Sequence, residues 1–106
     1  MAESILRIKS YEFAIRTVCL ARELVEQKRE FVLSKQVLRS GTSIGANVEE
    51  ANQAQSRRDF IHKLSIALKE ATETNYWLRL LRDTKLIDES LAESLIGDCR
   101  QLERIS

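Results

Sequence analysis

The chain contains no proline and only three glycines in 106 residues. The breakers of regular structure are therefore nearly absent. Leu, Ile, Ala, Glu, Lys and Arg are abundant instead, which is the balance of an all-helical soluble protein of one small domain. No apolar run approaches the roughly 20 residues needed to cross a bilayer. The opening segment, MAESILRIKSYEF, lacks the long uncharged core of a signal peptide, so a cytoplasmic location is expected. There is little net charge: the formal value is +1. That gives no general attraction to nucleic acid or membrane, and any basic surface must be local. The two cysteines, Cys19 and Cys99, each lie among apolar residues at helical spacing. Both are expected to be reduced, buried thiols that pack as small hydrophobes.

What is present reads as four helices. Helix 1 is expected from Ser4 to Lys28. Its apolar residues cover most of the circumference and leave a narrow polar stripe of Lys9, Glu12, Arg16 and Glu23. Glu12 and Arg16 stand at i,i+4 and are expected to pair. The segment from Gln27 to Glu30 is the first turn. Helix 2 is expected from Val32 to Ala54, with Leu33, Val37, Ile44, Val48 and Ala51 as its core stripe. Ser56 to Asp59 resembles a capping box that opens helix 3, with Asp in place of the usual Glu. Helix 3 is expected from Arg57 to Thr84. One stripe carries Phe60, Leu64, Ala67, Ala71 and Leu78, and a different side carries Ile66, Trp77, Leu80 and Leu81. Helix 4 is expected to start at Asp88 or Ser90. Its stripe is Leu91, Leu95, Cys99 and Leu102, with Ile96 and Ile105 beside it. Short connections make successive helices antiparallel neighbours. The expected fold is an all-α, up-down-up-down antiparallel four-helix bundle forming a single domain over residues 1–106.

Such a bundle needs one apolar stripe per helix. Helices 1 and 3 carry more than one. The surplus predicts a patch on an isolated chain, and hence a homo-oligomer.

Gly41 and Gly45 lie within RSGTSIGANVEEA, in the middle of helix 2. Each costs a helix about 1 kcal/mol relative to alanine. Their i,i+4 spacing stacks them on one side, where a second helix backbone can approach closely. Ser40, Ser43 and Asn47 occupy the other flank of the core stripe. If Ser43 and Asn47 are buried, they must hydrogen-bond, with a neighbouring helix as the expected partner.

The stretch from Leu33 to Leu81 resembles the four-helix bundle proteins encoded in intervening sequences of bacterial 23S rRNA genes. The matching positions are Gln36, Arg39, Ser40, Ser43, Ile44, Asn47 and Glu50. Asp59-Phe60-Ile61, Ile66-Ala67, Glu73 and Tyr76-Trp77-Leu78 follow at fixed spacing. Ala51 stands where some relatives have glycine. Helix 4 is short against the family pattern, which leaves open whether a C-terminal tail is missing. The resemblance implies a bundle assembled as a ring, most simply a homopentamer, and brings no established activity. It extends more loosely to the accessory proteins of diversity-generating retroelements, which are thought to bind nucleic acid and a reverse transcriptase.

The chemistry-bearing residues are few. There is one histidine. Asp59 and His62 have the i,i+3 spacing of a bundle metal ligand pair, but both point away from the Phe60–Leu64 stripe. No phosphate loop, Ser/His/Asp set or Cys-x-x-Cys is present. Glu49, Glu50, Glu70 and Glu73 read as surface or interface charges. Neither enzyme activity nor a metal or other cofactor is expected. Arg39 and Glu50 share a helix side but lie about 16 Å apart along the axis, so each must pair across helices. Glu73 is the suggested partner of Arg39. Gly41, Gly45, Ser43, Asn47, Arg39, Glu50, Glu73 and Trp77 are therefore assigned to helix packing or assembly.

A functional role is expected of one bundle end. There Lys28, Arg29 and Lys35 meet Arg79, Arg82 and Lys85, diluted by Glu30, Asp83 and Asp88. The opposite end carries Arg57, Arg58 and Lys63. Repeated around a ring, either cluster could bind RNA or DNA electrostatically, with little sequence preference. The alternative is a scaffold whose ring docks another protein.

Overall fold

The computed structural model describes the backbone of residues 2–106 and the side chains of residues 5–106. The described residues form four helices, α1 (Ala2–Lys28), α2 (Leu33–Asn52), α3 (Arg57–Asp83) and α4 (Glu89–Ile105), and no strand. α1 starts two residues earlier than expected, and α2 ends two residues earlier.

Each helix packs against two others, in the cycle α1–α2–α3–α4–α1, and among the described residues the backbones of the diagonal pairs do not approach closely. Side chains early in one helix meet side chains late in the next. Arg7 reaches Glu49, and Glu50 takes the ammonium of Lys63. The long dimension is 44 Å. A helix of 27 residues, the length of α1 and of α3, spans about 40 Å of it.

The core lies along the axis. Leu6, Phe13, Leu20 and Leu24 line it from α1, and Val37, Ile44 and Val48 from α2. Ala67, Ala71, Leu78 and Leu81 enter from α3, and Leu95, Ile96, Cys99 and Leu102 from α4. Each large side chain among them contributes about 1.5–3 kcal/mol by leaving water. Leu81 belongs to this core rather than to a separate surface side. Only the small residues Ala67, Ala71 and Thr74 fill the middle of α3, which lets its neighbours come close.

The ends of the helices follow capping chemistry. The Ser56 hydroxyl accepts from the N–H of Asp59 at 3.0 Å and opens α3. Asp88, not Ser90, caps α4, accepting from the N–H of Leu91 at 2.9 Å. The residue preceding α2, Val32, has no capping side chain. The carboxylate of Glu30 substitutes by accepting from the N–H groups of Val32 and Leu33, both at 2.7 Å. α1 and α3 end on left-handed residues, Arg29 at φ 54° and Lys85 at φ 62°. The N–H of Glu30 reaches back to Leu24 and that of Leu86 to Leu81, closing both ends in the manner usually served by glycine.

Three further expectations are corrected. Cys19 is exposed and only Cys99 is buried, because Cys19 lies on the side of α1 away from the axis. Arg16 does not pair with Glu12; its guanidinium reaches Asp98 on α4 at 2.6 Å, where a neighbouring helix offers a closer carboxylate. Ser43 and Asn47 are half-buried and bond within α2, Ser43 to the carbonyl of Arg39 and Asn47 to that of Ser43. A short polar side chain on a helix finds its own preceding carbonyl before it finds a neighbour.

Candidate interaction surfaces

The two glycines of α2 face α1. A Cβ on Gly41 would lie 2.5 Å from Cγ2 and 2.7 Å from Oγ1 of Thr17. One on Gly45 would lie 3.3 Å from the backbone oxygen of Ser10. Ser10 and Thr17 are buried, and each returns its hydroxyl to its own helix, to Arg7 and Phe13. Two small polar residues seven apart inside an apolar helix face were the sequence signal that α1 is the helix brought close.

Polar groups join α2 to α3. Arg39 hydrogen-bonds Glu73 and also Glu70, the latter at 3.2 Å. The Trp77 indole N–H donates to the same Glu73 oxygen at 2.9 Å. The hydrogen bond from Arg39, and then that from Trp77, holds the Glu73 carboxyl below its usual range. Beneath this network the Thr74 hydroxyl donates to the carbonyl of Glu70 and shares a buried bond of 2.8 Å with the Ser40 hydroxyl. Glu50 pairs with Lys63 at 2.7 Å, which raises the affinity of that ammonium for its proton. The suggested Arg39–Glu73 pair is present. Glu70 and Lys63 are partners the sequence did not single out.

The six cations of the expected basic end do not all line one cleft. Lys28, Arg82 and Lys85 line an open cleft of about 760 Å³ between the end of α1 and the α3–α4 turn. Five carboxylates, those of Glu23, Asp83, Asp88, Glu89 and Glu93, line it with them. Arg82 bonds both Asp83 and Glu93 at 2.8 Å, so its charge is spoken for. Its hydrogen bond also holds the Asp83 carboxyl low. Lys35 lies in a different groove, between α1 and α2. Arg79 leans on Tyr76 and Arg29 on Phe31.

The apolar surfaces are more coherent. Ile5, Ile8, Tyr11 and Ile15 stay exposed on α1, Ile8 at 59% and Tyr11 at 67%. Ile8 and Ile15 project roughly 160° from Leu6 and Phe13, on the side of α1 opposite the core. Nearby, Val18, Val25, Phe31 and Leu38 line a mostly apolar groove of about 320 Å³ between α1 and α2. On α3 the exposed apolar residues are Ile61, Leu68 and Tyr76. Trp77, expected on that surface, is half-buried against the core. Among the described residues no cluster of His, Cys, Asp and Glu is arranged to hold a metal ion, and none of the helices is long and apolar enough to cross a membrane.

The family model described as 23S rRNA-intervening sequence protein matches residues 3–106. The chain belongs to that family. A crystal structure of a protein of unknown function from the S23 ribosomal protein family, from Bacteroides thetaiotaomicron VPI-5482, is similar over 99% of this chain and 94% of its own. The sequences are 54% identical and the TM-score is 0.98. Comparison with curated proteins gives no match. Family membership fixes the four-helix architecture and leaves the activity to be argued from the surface.

Proposed function

We propose that this member of the family is a non-enzymatic, cytoplasmic scaffold. In this reading each chain is one up-down-up-down four-helix bundle. The chains assemble as a homo-oligomeric ring, most simply the pentamer implied by the resemblance, and the ring docks another protein. The observation that carries the reading is the outward stripe of α1. Ile8, Tyr11 and Ile15 are large, exposed and within about 60° of one another around α1, and the core has no use for them. Stripes of this kind mark contacts between proteins. A second apolar surface, the α1–α2 groove, gives a chain two different patches, as a head-to-tail ring requires.

Electrostatic binding of RNA or DNA through Lys28, Arg29, Lys35, Arg79, Arg82 and Lys85 ranks behind the scaffold. Carboxylates outnumber cations in the cleft that gathers three of the six. Light scattering separates the two readings. The scaffold predicts an oligomeric mass that persists at high salt and falls to that of one chain in Ile8→Asp with Ile15→Asp. A monomeric wild-type protein would refute it. The nucleic-acid reading predicts RNA binding that weakens steeply with salt and is lost when Lys28, Arg29, Arg79 and Arg82 become Glu.

A further inference from the structure

α1 carries two seams on opposite sides. The inner one steps through Leu6, Ser10, Phe13, Thr17, Leu20 and Leu24, all of them buried. The outer one steps through Ile8, Tyr11, Ile15, Val18, Arg22 and Val25. Both advance by alternate intervals of three and four residues, the spacing of a helix that packs along its length against another helix. Ile8, Tyr11 and Ile15 are exposed, and Val18 and Val25 are half-buried. The six outer residues fall within about 100° of one another around α1.

The outer seam runs into the groove between α1 and α2. Gly41 against Thr17 and Gly45 against Ser10 set these helices in opposite directions. In that register Lys35 and Leu38 of α2 stand across the groove from Arg22 and Val18. The exposed stripe and the groove are therefore successive stretches of one seam, centred roughly 15 Å apart along α1.

The two flanks of the seam differ in charge. Glu12, Glu23 and Glu26 lie on the α4 side, the side from which Arg16 reaches Asp98. Lys9 and Arg16 stand farther round toward α4. On the α2 side the free charge is Lys35, because Arg7 and Glu49 pair with each other at 3.2 Å. Neither Lys35, Arg22 nor any of the three glutamates forms an ion pair among the described residues. Two parallel helices facing one another set the acidic flank of the first against the opposite flank of the second. Antiparallel helices set like flank on like flank. Flanking charges of this kind choose the orientation of packed helices.

We propose that the outer seam joins successive copies of this chain, with neighbouring α1 helices parallel and shifted by one heptad, about 10 Å. The inference rests on the scaffold reading and adds which surfaces meet and in which orientation. In that register Ile8 of one copy stands on Ile15 of the next, Tyr11 on Val18 and Val18 on Val25. Ile15 covers the aliphatic stem of Arg22. Glu12 comes within about one turn of Lys35 of the next copy. A two-fold antiparallel pair would set Glu12, Glu23 and Glu26 against the same three residues of its partner. The shift makes the contact head-to-tail, so each copy keeps one stretch of the seam for a further copy, as a ring requires.

The test is light scattering of the full chain across a dilution series. The wild type is expected to exceed the mass of two chains. Ile8→Asp with Tyr11→Asp and Phe31→Asp with Leu38→Asp change exposed residues at the two ends of the contact. Each double variant alone should have the mass of one chain. Mixed in equal amounts, they should form a species of two chains and nothing larger, because one intact stripe meets one intact groove. Should a double variant fold poorly, the charges give a second test. Glu12→Lys should raise the concentration at which the assembly half-dissociates by about threefold or more, and Lys35→Glu should do the same. The two changes in one chain should restore the wild-type value. A wild type of one chain would remove the scaffold reading together with this one. An oligomeric wild type whose mass survives both double variants would leave the scaffold standing and overturn the seam. So would a wild type of two chains, or tighter assembly in Glu12→Lys, either of which marks the antiparallel pair.

Discussion

Replacing Gly41 by alanine tests the close approach of α1 to α2 at Thr17. The new Cβ would lie 2.5 Å from Cγ2, 2.7 Å from Oγ1 and 3.1 Å from Cβ of Thr17. Carbon atoms in contact rest at about 3.5–4.0 Å, so α1 and α2 must separate locally by about 1 Å. Rotating Thr17 gives no escape, because it is buried, its hydroxyl is held by Phe13, and its own Cβ is within 3.1 Å. Overpacking of this kind costs about 1–3 kcal/mol, and the shortness of the contacts places it near the upper end. Alanine returns about 1 kcal/mol of helix propensity. The expected net loss is about 2 kcal/mol, or roughly 8 °C in Tm at fixed protein concentration. Gly97 supplies the control. A Cβ there meets nothing within 4 Å, so Gly97→Ala should gain about 1 kcal/mol. Thr17→Ala combined with Gly41→Ala should recover about 1 kcal/mol or more of coupling in a double-mutant cycle by urea denaturation. If Gly41→Ala stabilises as Gly97→Ala does, or shows no coupling to Thr17, the close approach of α1 is refuted.

Lys85 holds a left-handed backbone that costs a side-chain-bearing residue about 1–2 kcal/mol, so Lys85→Gly should raise stability by up to about 1 kcal/mol in thermal melts. The folded carboxyl of Glu73 titrates below its unfolded value because of Arg39 and then Trp77. Its contribution is therefore present above the unfolded Glu value of about 4.3 and lost as pH falls through the folded one. With the side chain about a third exposed, that contribution is below about 1 kcal/mol, and Glu73→Gln should lose less stability than wild type between pH 7 and pH 3. Burial pushes the Cys99 thiol up to about 12, whereas Cys19 is exposed. A disulfide exchange reagent should then reach Cys19 in the native chain and Cys99 only after denaturant is added, and Cys19→Ser should abolish the native reaction.

Much of this chain was legible because α-helices announce themselves locally. The boundaries of α3, the Ser56 cap and the stripes of α2 and α4 depend on residues three and four apart, and a single sequence contains those spacings. The glycine pair signalled close approach for the same reason, since an absent side chain is a statement about space. The surplus of apolar residues on helix 1 was also countable. Its place was not, because a residue's angle around its own helix has meaning only after the neighbours take positions. That is why Cys19 lies outside when an apolar context suggested burial, and why Leu81 and Trp77 face the core rather than the surface.

Pairings were decided by tertiary structure alone. Arg16 chose Asp98, 82 positions away, over a carboxylate one turn off. At the expected basic end, acids from α1, the α3–α4 turn and α4 line the same cleft as Lys28, Arg82 and Lys85. Sequence determined which segments are helical, which faces are apolar and where two backbones can meet. The relative register of those helices, set by long-range packing, determined which apolar and charged groups were left over to recognise something else.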